Sequence, residues 1–280
     1  MLNKKLCFLG CESDYDSARF VLFGAPFDGT TTYRPGARFA SRRMREESYG
    51  IETYSPYLDK DLEDIKVFDA GDLDLPFGGT QKALDMIQEF AAKILADGKT
   101  PVMIGGEHLV TLPAVKAASD KYKDLYVVHF DAHADLRDEY IGEKLSHSTV
   151  MRRVCEIVGP KKIFQYGIRS GERSEFEYAK ENTYMTKFFI KDLEKAMDII
   201  GENPVYITVD LDCIDPSEFP ATGTPEAGGV TFEELRQAIQ KLGNLNVIGC
   251  DITELCPPYD TTGVSTALAC KFLRELLLSI

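Results

Sequence analysis

Apolar residues follow two alternating rhythms along this chain. Short runs such as Arg19-Phe-Val-Leu-Phe-Gly24, Thr100-Pro-Val-Met-Ile104 and Leu125-Tyr-Val-Val-His-Phe130 are nearly continuous, the pattern of strands buried within a sheet. Longer stretches between them carry helical spacing: Ala83, Leu84, Ile87, Phe90, Ala91, Ile94 and Leu95 share one face, from Thr80 until Gly98 closes the element. The pattern predicts strands at 19–24, 65–69, 100–104, 125–130, 162–167, 187–190, 205–212 and 247–254. Helices are predicted over 37–48, from 80 to the glycine at 98, up to about 121, and over 148–158, 175–180, 192–200 and 231–242, with a last one from about Thr262. Strands separated by helices imply a parallel sheet covered on both faces, with a closed eight-fold barrel as the rival topology. In either arrangement ligands gather at the C-terminal ends of the strands. No repeat, low-complexity tract or linker interrupts the rhythm, so a single domain over residues 1–280 is expected.

Composition narrows the partners. The 280 residues are 44% hydrophobic and 28% charged, enough to bury a substantial core. A formal net charge of −13 disfavours nucleic acid and anionic membranes and favours a small cation. Seven scattered cysteines without a C-x-x-C pair suit reduced thiols in a cytoplasmic protein and argue against sulfur-bound zinc. The start, Met1-Leu-Asn-Lys-Lys-Leu-Cys-Phe-Leu-Gly-Cys11, imitates a lipoprotein signal, but its apolar part is shorter than the roughly 7–15 residues such a signal uses. No window approaches the roughly 18 apolar residues of a membrane span. Neither a G-x-G-x-x-G after a strand nor a G-x-x-x-x-G-K-[ST] is present, which lowers the case for nucleotide chemistry.

The polar residues that end the strands carry the chemistry. Strand 125–130 runs into Asp131-Ala-His133-Ala-Asp135, where alternate residues of an extended chain can converge as the strand finishes. In isolation this reads either as a metal-binding tip or as a solvated acidic turn. Two further strand ends favour metal: His108 follows strand 100–104, and Asp210 and Asp212 close strand 205–212. Burying four aspartates together is prohibitive without cations, and two divalent ions would balance their −4. Oxygen ligands with a minority of imidazole and no thiolate favour manganese over zinc. A metal pair can lower the pKa of water from about 15.7 toward about 7, and Asp135 could bind metal, hold the nucleophile and relay a proton. The segment 37–48, with Arg38, Arg42, Arg43 and Arg45, reads as a solvated helix face or subunit contact.

Gly-Gly-Glu-His108, Asp131-Ala-His133-Ala-Asp135 and Asp210-Leu-Asp212-Cys-Ile-Asp-Pro resemble the three signature motifs of the ureohydrolase (arginase/agmatinase) family, and the similarity covers nearly the whole chain. The resemblance implies a three-layer α/β/α sandwich around an eight-stranded parallel sheet, assembled into trimers or hexamers. It implies two Mn2+ per subunit, one held by His108, Asp131, Asp135 and Asp210, the other by Asp131, His133, Asp210 and Asp212. His147, in Lys144-Leu-Ser-His-Ser-Thr149, aligns with the family's proton-shuttling histidine, and Glu254 with the glutamate that holds the guanidinium. No family ligand role maps to His129, which reads as a buried histidine supporting the site from behind. Cys213 and Cys256 lack a base partner and read as packing residues.

Several segments resemble the agmatinase branch: Pro26-Phe-Asp-Gly-Thr-Thr31, Tyr33-Arg-Pro-Gly-Ala-Arg38 and Pro220-Ala-Thr-Gly-Thr-Pro-Glu226. So does Asp135-Leu-Arg137, which lacks the asparagine arginases place there to meet an α-carboxylate. That implies hydrolysis of agmatine to putrescine and urea, with Asp138, Glu139 and Glu143 as acids that would favour a terminal ammonium. Arginase, guanidinobutyrase or formimidoylglutamase activity, a metal-dependent deacetylase, and a non-catalytic metal-binding homologue are the other readings.

Overall fold

The structure is a computed structural model that describes residues 6–280; Met1 to Lys5, the beginning of the signal-like stretch, lie outside the described residues. The strands are β1 (Phe20–Gly24), β2 (Tyr54–Ser55), β3 (Lys60–Asp61), β4 (Val67–Asp72), β5 (Thr100–Ile104), β6 (Tyr126–Phe130), β7 (Ile163–Ile168), β8 (Tyr184–Lys187), β9 (Pro204–Asp210) and β10 (Asn246–Thr253). The helices are α1 (Ala40–Glu47), α2 (Thr80–Ala96), α3 (Thr111–Lys121), α4 (Val150–Val158), α5 (Arg173–Asn182), α6 (Leu193–Ile200), α7 (Phe232–Leu242) and α8 (Val264–Ser279). Eight strands form one parallel sheet in the order β4-β1-β5-β10-β9-β6-β7-β8, and β2 and β3 form a small antiparallel hairpin. The sheet begins at β4 and ends at β8, so it is open and the barrel is excluded.

Strand alternation builds the two cores. Phe20 and Leu22 of β1 enter one with Met44 of α1, Leu235 of α7 and Phe272 of α8. Val21 and Phe23 enter the other with Ile87 of α2, Val115 of α3 and Val154 of α4. Period two in the strands thus meets period 3.6 in the helices, giving three layers. Local signals fix the boundaries: Thr231 and Glu234 form a reciprocal capping box that starts α7.

Two expectations need correction. The predicted strand 187–190 lies earlier, at Tyr184–Lys187, because Tyr184 stacks on Phe164 at 4.7 Å and pairs in register with β7. The apolar run that suggested the later position is exposed, with Phe188 and Phe189 about half accessible and Phe188 in the left-handed region. The hairpin β2–β3 is too short to carry a periodic signal.

The arginine segment is not a uniform solvated face. Arg42 and Arg43 are exposed and pair with Glu46 and Glu47, whereas Arg45 is buried, making two bonds to Asp69 at 2.8 and 3.0 Å and a third to Asp72. Removing one partner of a buried ion pair costs about 3–5 kcal/mol. Arg45→Met is expected to lower unfolding stability by roughly that amount in urea denaturation, and an unchanged midpoint would show the pair to be dispensable.

Candidate metal centre and cleft

The strands that carry the chemistry are neighbours. β5, β10, β9 and β6 are consecutive at the centre of the sheet, and their C-terminal ends deliver His108, Glu254, Asp210 with Asp212, and Asp131 with His133 and Asp135. The register explains the meeting: Thr253 pairs with Asp210, Ile252 with Ile104 and Phe130 with Val209, so the chains leave the sheet at one level. Gly106 permits the close crossing before His108, since a Cβ there would lie 1.8 Å from the Phe27 carbonyl oxygen. Asp135 and Glu254 both have positive φ, 53° and 64°, a backbone region unusual for such residues and concentrated at functional sites.

The acid and imidazole atoms fall in two groups. His108 Nδ1 lies 3.0 Å from Asp131 Oδ2, 3.1 Å from Asp135 Oδ2 and 3.5 Å from Asp210 Oδ2. His133 Nδ1 lies 3.0 Å from Asp212 Oδ2 and 3.5 Å from Asp131 Oδ1. Asp131 therefore turns one oxygen to each histidine. All of these side chains are buried except His133, which is 22% exposed toward the cleft.

Burial and neighbouring charges shift His108, Asp131, His133, Asp135 and Asp210 away from their ordinary ranges. Burial, then the charges of Asp212 and Asp131, push Asp210 well above the carboxylate range. Burial and the charge of Asp131 push Asp135 up to about 7. Burial opposes a charge on His108 and on His133, but the facing aspartates outweigh it and raise both. Burial also opposes charge on Asp131, yet hydrogen bonds from His108, His129 and His133 hold it well below its usual range. Burial and mutual repulsion among these acids are costs that divalent cations would offset. His108 Nδ1 is buried without a hydrogen-bond partner of acceptable geometry, aimed at three carboxylates. An oxygen-rich donor set completed by two imidazoles fits a hard or borderline divalent ion.

His129 sits close enough to be mistaken for a ligand, since atoms of His108, His129 and Asp131 lie within 4.8 Å of one another. Its hydrogen bonds decide otherwise. Gln165 Nε2 lies 3.1 Å from His129 Nδ1 and donates to the Ala134 carbonyl, while the Thr183 hydroxyl donates to Gln165 Oε1, which fixes the amide orientation. Nδ1 accepts, so the ring hydrogen is on Nε2, 2.8 Å from Asp131 Oδ2, and no lone pair there faces a cation. His129 orients Asp131 from behind.

A cleft of about 240 Å³ opens over the cluster, lined by Thr32, Tyr140, His147, Thr224 and Glu254 among others. Glu254 is buried, and one of its oxygens accepts the His108 backbone N–H at 2.9 Å. Burial, then the charges of Glu107 and Asp212, raise its pKa well above normal. His147 is half-buried, its backbone N–H bonded to the Thr30 hydroxyl at 3.1 Å and its ring edge-on to Tyr140. Burial first, then charge on His133 and His108, push it down to about 4, so it is a neutral imidazole near neutral pH. A larger groove of about 460 Å³ at the β8 edge contains none of the cluster residues.

Some acids expected at the cleft lie elsewhere, and residues with no motif to mark them stand there instead. Asp138, Glu139 and Glu143 do not line the cleft, and Asp138 is paired with Arg153 at 2.8 Å. The acids that line it besides Glu254 and the cluster are Glu172 and Glu175, with Arg137 bonded to Glu172 at 2.5 Å. Glu107 accepts hydrogen bonds from the Thr30 and Thr31 hydroxyls and ties the loop after β1 to the cluster. The hydroxyl-rich run from Gly29 to Thr32 was the available signal. Cys213 and Cys256 are buried with thiols raised by burial, in keeping with packing.

Comparison with known proteins gives one family. The sequence profile of the arginase family matches residues 18–279. An agmatinase of Bacillus anthracis is 48% identical over 277 residues, covering 97% of this chain and 95% of the relative. A solved structure from Clostridium difficile, described as a candidate agmatinase, superposes with a TM-score of 0.93 at 54% identity, covering 95% of this chain and 98% of that one. The agmatine ureohydrolase of Thermoplasma volcanium superposes with a TM-score of 0.91 at 33% identity, covering 99% and 94%.

Proposed function

Because this chain belongs to the arginase family, a family of metal-dependent hydrolases of guanidino compounds, we propose that it hydrolyses agmatine to urea and putrescine with two Mn2+ per subunit. The observation that carries the reading is the convergence of Asp131, Asp135, Asp210, Asp212, His108 and His133 beside the buried Glu254. His108, Asp131, Asp135 and Asp210 would hold one ion, and Asp131, His133, Asp210 and Asp212 the other. When bound, the ions supply Lewis-acid charge and bring water toward hydroxide near neutral pH.

The chain's own residues supply the remainder. Glu254 accepts hydrogen bonds from the substrate guanidinium and fixes the reacting carbon over the cluster, a charge-assisted pairing. Asp135, which faces His108 Nδ1 and lines the cleft, is placed to take a proton from water and release it to the departing nitrogen. His147, neutral and at the cleft, passes a proton between that nitrogen and solvent. The guanidinium and one water thus become urea and a protonated amine, with atoms and charge conserved.

The choice of agmatine rests on the relatives and on the cleft. Arg137 stands where an α-carboxylate binder would be expected in an arginase, and its guanidinium is already engaged by Glu172. We further infer a cytoplasmic homotrimer or hexamer that takes a small guanidino cation and no nucleic acid. Among the described residues no helix is long and apolar enough to cross a membrane.

The test is urea release from Mn2+-loaded protein with agmatine, arginine, 4-guanidinobutyrate and formimidoylglutamate. Agmatine is expected to have the highest kcat/KM, and a higher value for any competitor would reassign the substrate. Mn2+-loaded protein that cleaves none of them would point to a non-catalytic homologue.

A further inference from the structure

Asp251, in the middle of the sheet on β10, is a fully buried carboxylate to which no mechanistic step assigns a task. Its oxygens are taken by hydroxyls of β9: Thr208 Oγ1 donates to Oδ1 at 2.6 Å, and the Tyr206 phenol donates to Oδ2 at 2.9 Å. Burying a carboxylate against hydroxyls alone is unfavourable, and an apolar pair would join two strands at least as well. Its neighbours explain why an acid stands here.

A threonine hydroxyl has one hydrogen. Thr208 directs it to Asp251, so its oxygen can only accept from other groups. His108 Nε2 lies 3.0 Å from that oxygen and must therefore be the donor. A neutral imidazole with its hydrogen on Nε2 keeps a lone pair on Nδ1, the atom that faces Asp131, Asp135 and Asp210. An ionised Asp251 only accepts, which keeps the Thr208 hydrogen turned away from His108; burial opposes that charge, and the hydrogen bond from Thr208, the charge on His108 and the hydrogen bonds from Tyr206 and Thr111 favour it.

We propose that Asp251, acting through Thr208, is a positioning residue that fixes the tautomer and ring orientation of His108 for cation binding at its own side of the cluster. His133 has no part in this relay, so the two cation positions should respond differently. The proposal rests on the metal reading above and adds a residue to it.

The experiment is calorimetric titration of Mn2+ into metal-free protein, comparing wild type with Thr208→Val, Thr208→Ser and Tyr206→Phe. Groups behind a metal ligand typically change affinity by about 10- to 100-fold. Thr208→Val is expected to weaken one of the two sites by that factor and spare the other. Thr208→Ser keeps the hydroxyl and should bind as wild type does. Tyr206→Phe removes the other bond to Asp251 without touching His108, so it should lower melting temperature at most. Unchanged affinity in Thr208→Val, or an equal loss in Tyr206→Phe, would overturn the proposal, the latter by reducing Asp251 to a clasp between strands. Wild-type protein that takes up no Mn2+ would overturn the metal reading itself, an outcome distinct from either.

Discussion

Replacing Asp131 with asparagine is expected to reduce kcat/KM for agmatine by more than about a thousandfold, with bound Mn2+ falling below two equivalents per chain. Asp131 offers one oxygen to the His108 side and the other to the His133 side, so a single change weakens both positions. Lewis-acid stabilisation is worth several kcal/mol, and about 1.4 kcal/mol corresponds to a factor of ten. Asparagine keeps the shape and one acceptor oxygen, so the strand end should fold as before. Near-wild-type turnover by well-folded Asp131→Asn protein would mean that the reaction does not depend on this residue, whatever the metal content.

Glu254→Gln is expected to cut kcat/KM by roughly 10²- to 10³-fold while leaving Mn2+ content unchanged. Glutamine retains the oxygen that accepts the His108 backbone hydrogen at 2.9 Å, so the local backbone is preserved. What disappears is the negative charge opposite the substrate guanidinium, in a buried position where an unpaired partner costs about 3–5 kcal/mol. Metal analysis and kinetics together separate the two acid roles: Asp131→Asn loses metal and rate, whereas Glu254→Gln loses rate alone. A Glu254→Gln enzyme that lost metal in step with activity would place Glu254 among the residues on which metal binding depends.

The legibility of this protein in its sequence follows from how local each signal is. Strands β5, β6 and β9 announced themselves because both faces are buried, leaving runs such as Val127-Val128 with no polar interruption. Asp131, His133 and Asp135 were readable because they follow one another across a strand end. The sheet order was not, because the placing of β10 between β5 and β9 depends on contacts far apart in the chain. That order is nevertheless what brings Glu254 and His108 together.

Residues that act on other residues were also hidden. Thr208 and Gln165 are ordinary strand residues until the neighbouring strands set them against His108 and His129. Arg45 looked like its exposed neighbours because its partners, Asp69 and Asp72, belong to another element. Phe188 and Phe189 misled in the opposite sense, as apolar residues that remain exposed. Asp138, Glu139 and Glu143 are near Asp135 in sequence, but their loop turns them outward, and Glu172 and Glu175 line the cleft with Glu254 instead.

On the proposed reading, cleavage depends on cations gathered by the carboxylates and imidazoles at the four central strand ends. The direct measurement is to strip the protein of metal by chelation, add Mn2+ back in steps, and follow urea release from agmatine at each step. Activity absent from the stripped protein and restored as occupancy approaches two Mn2+ per chain is the expected result. Full activity in the metal-free protein would contradict it.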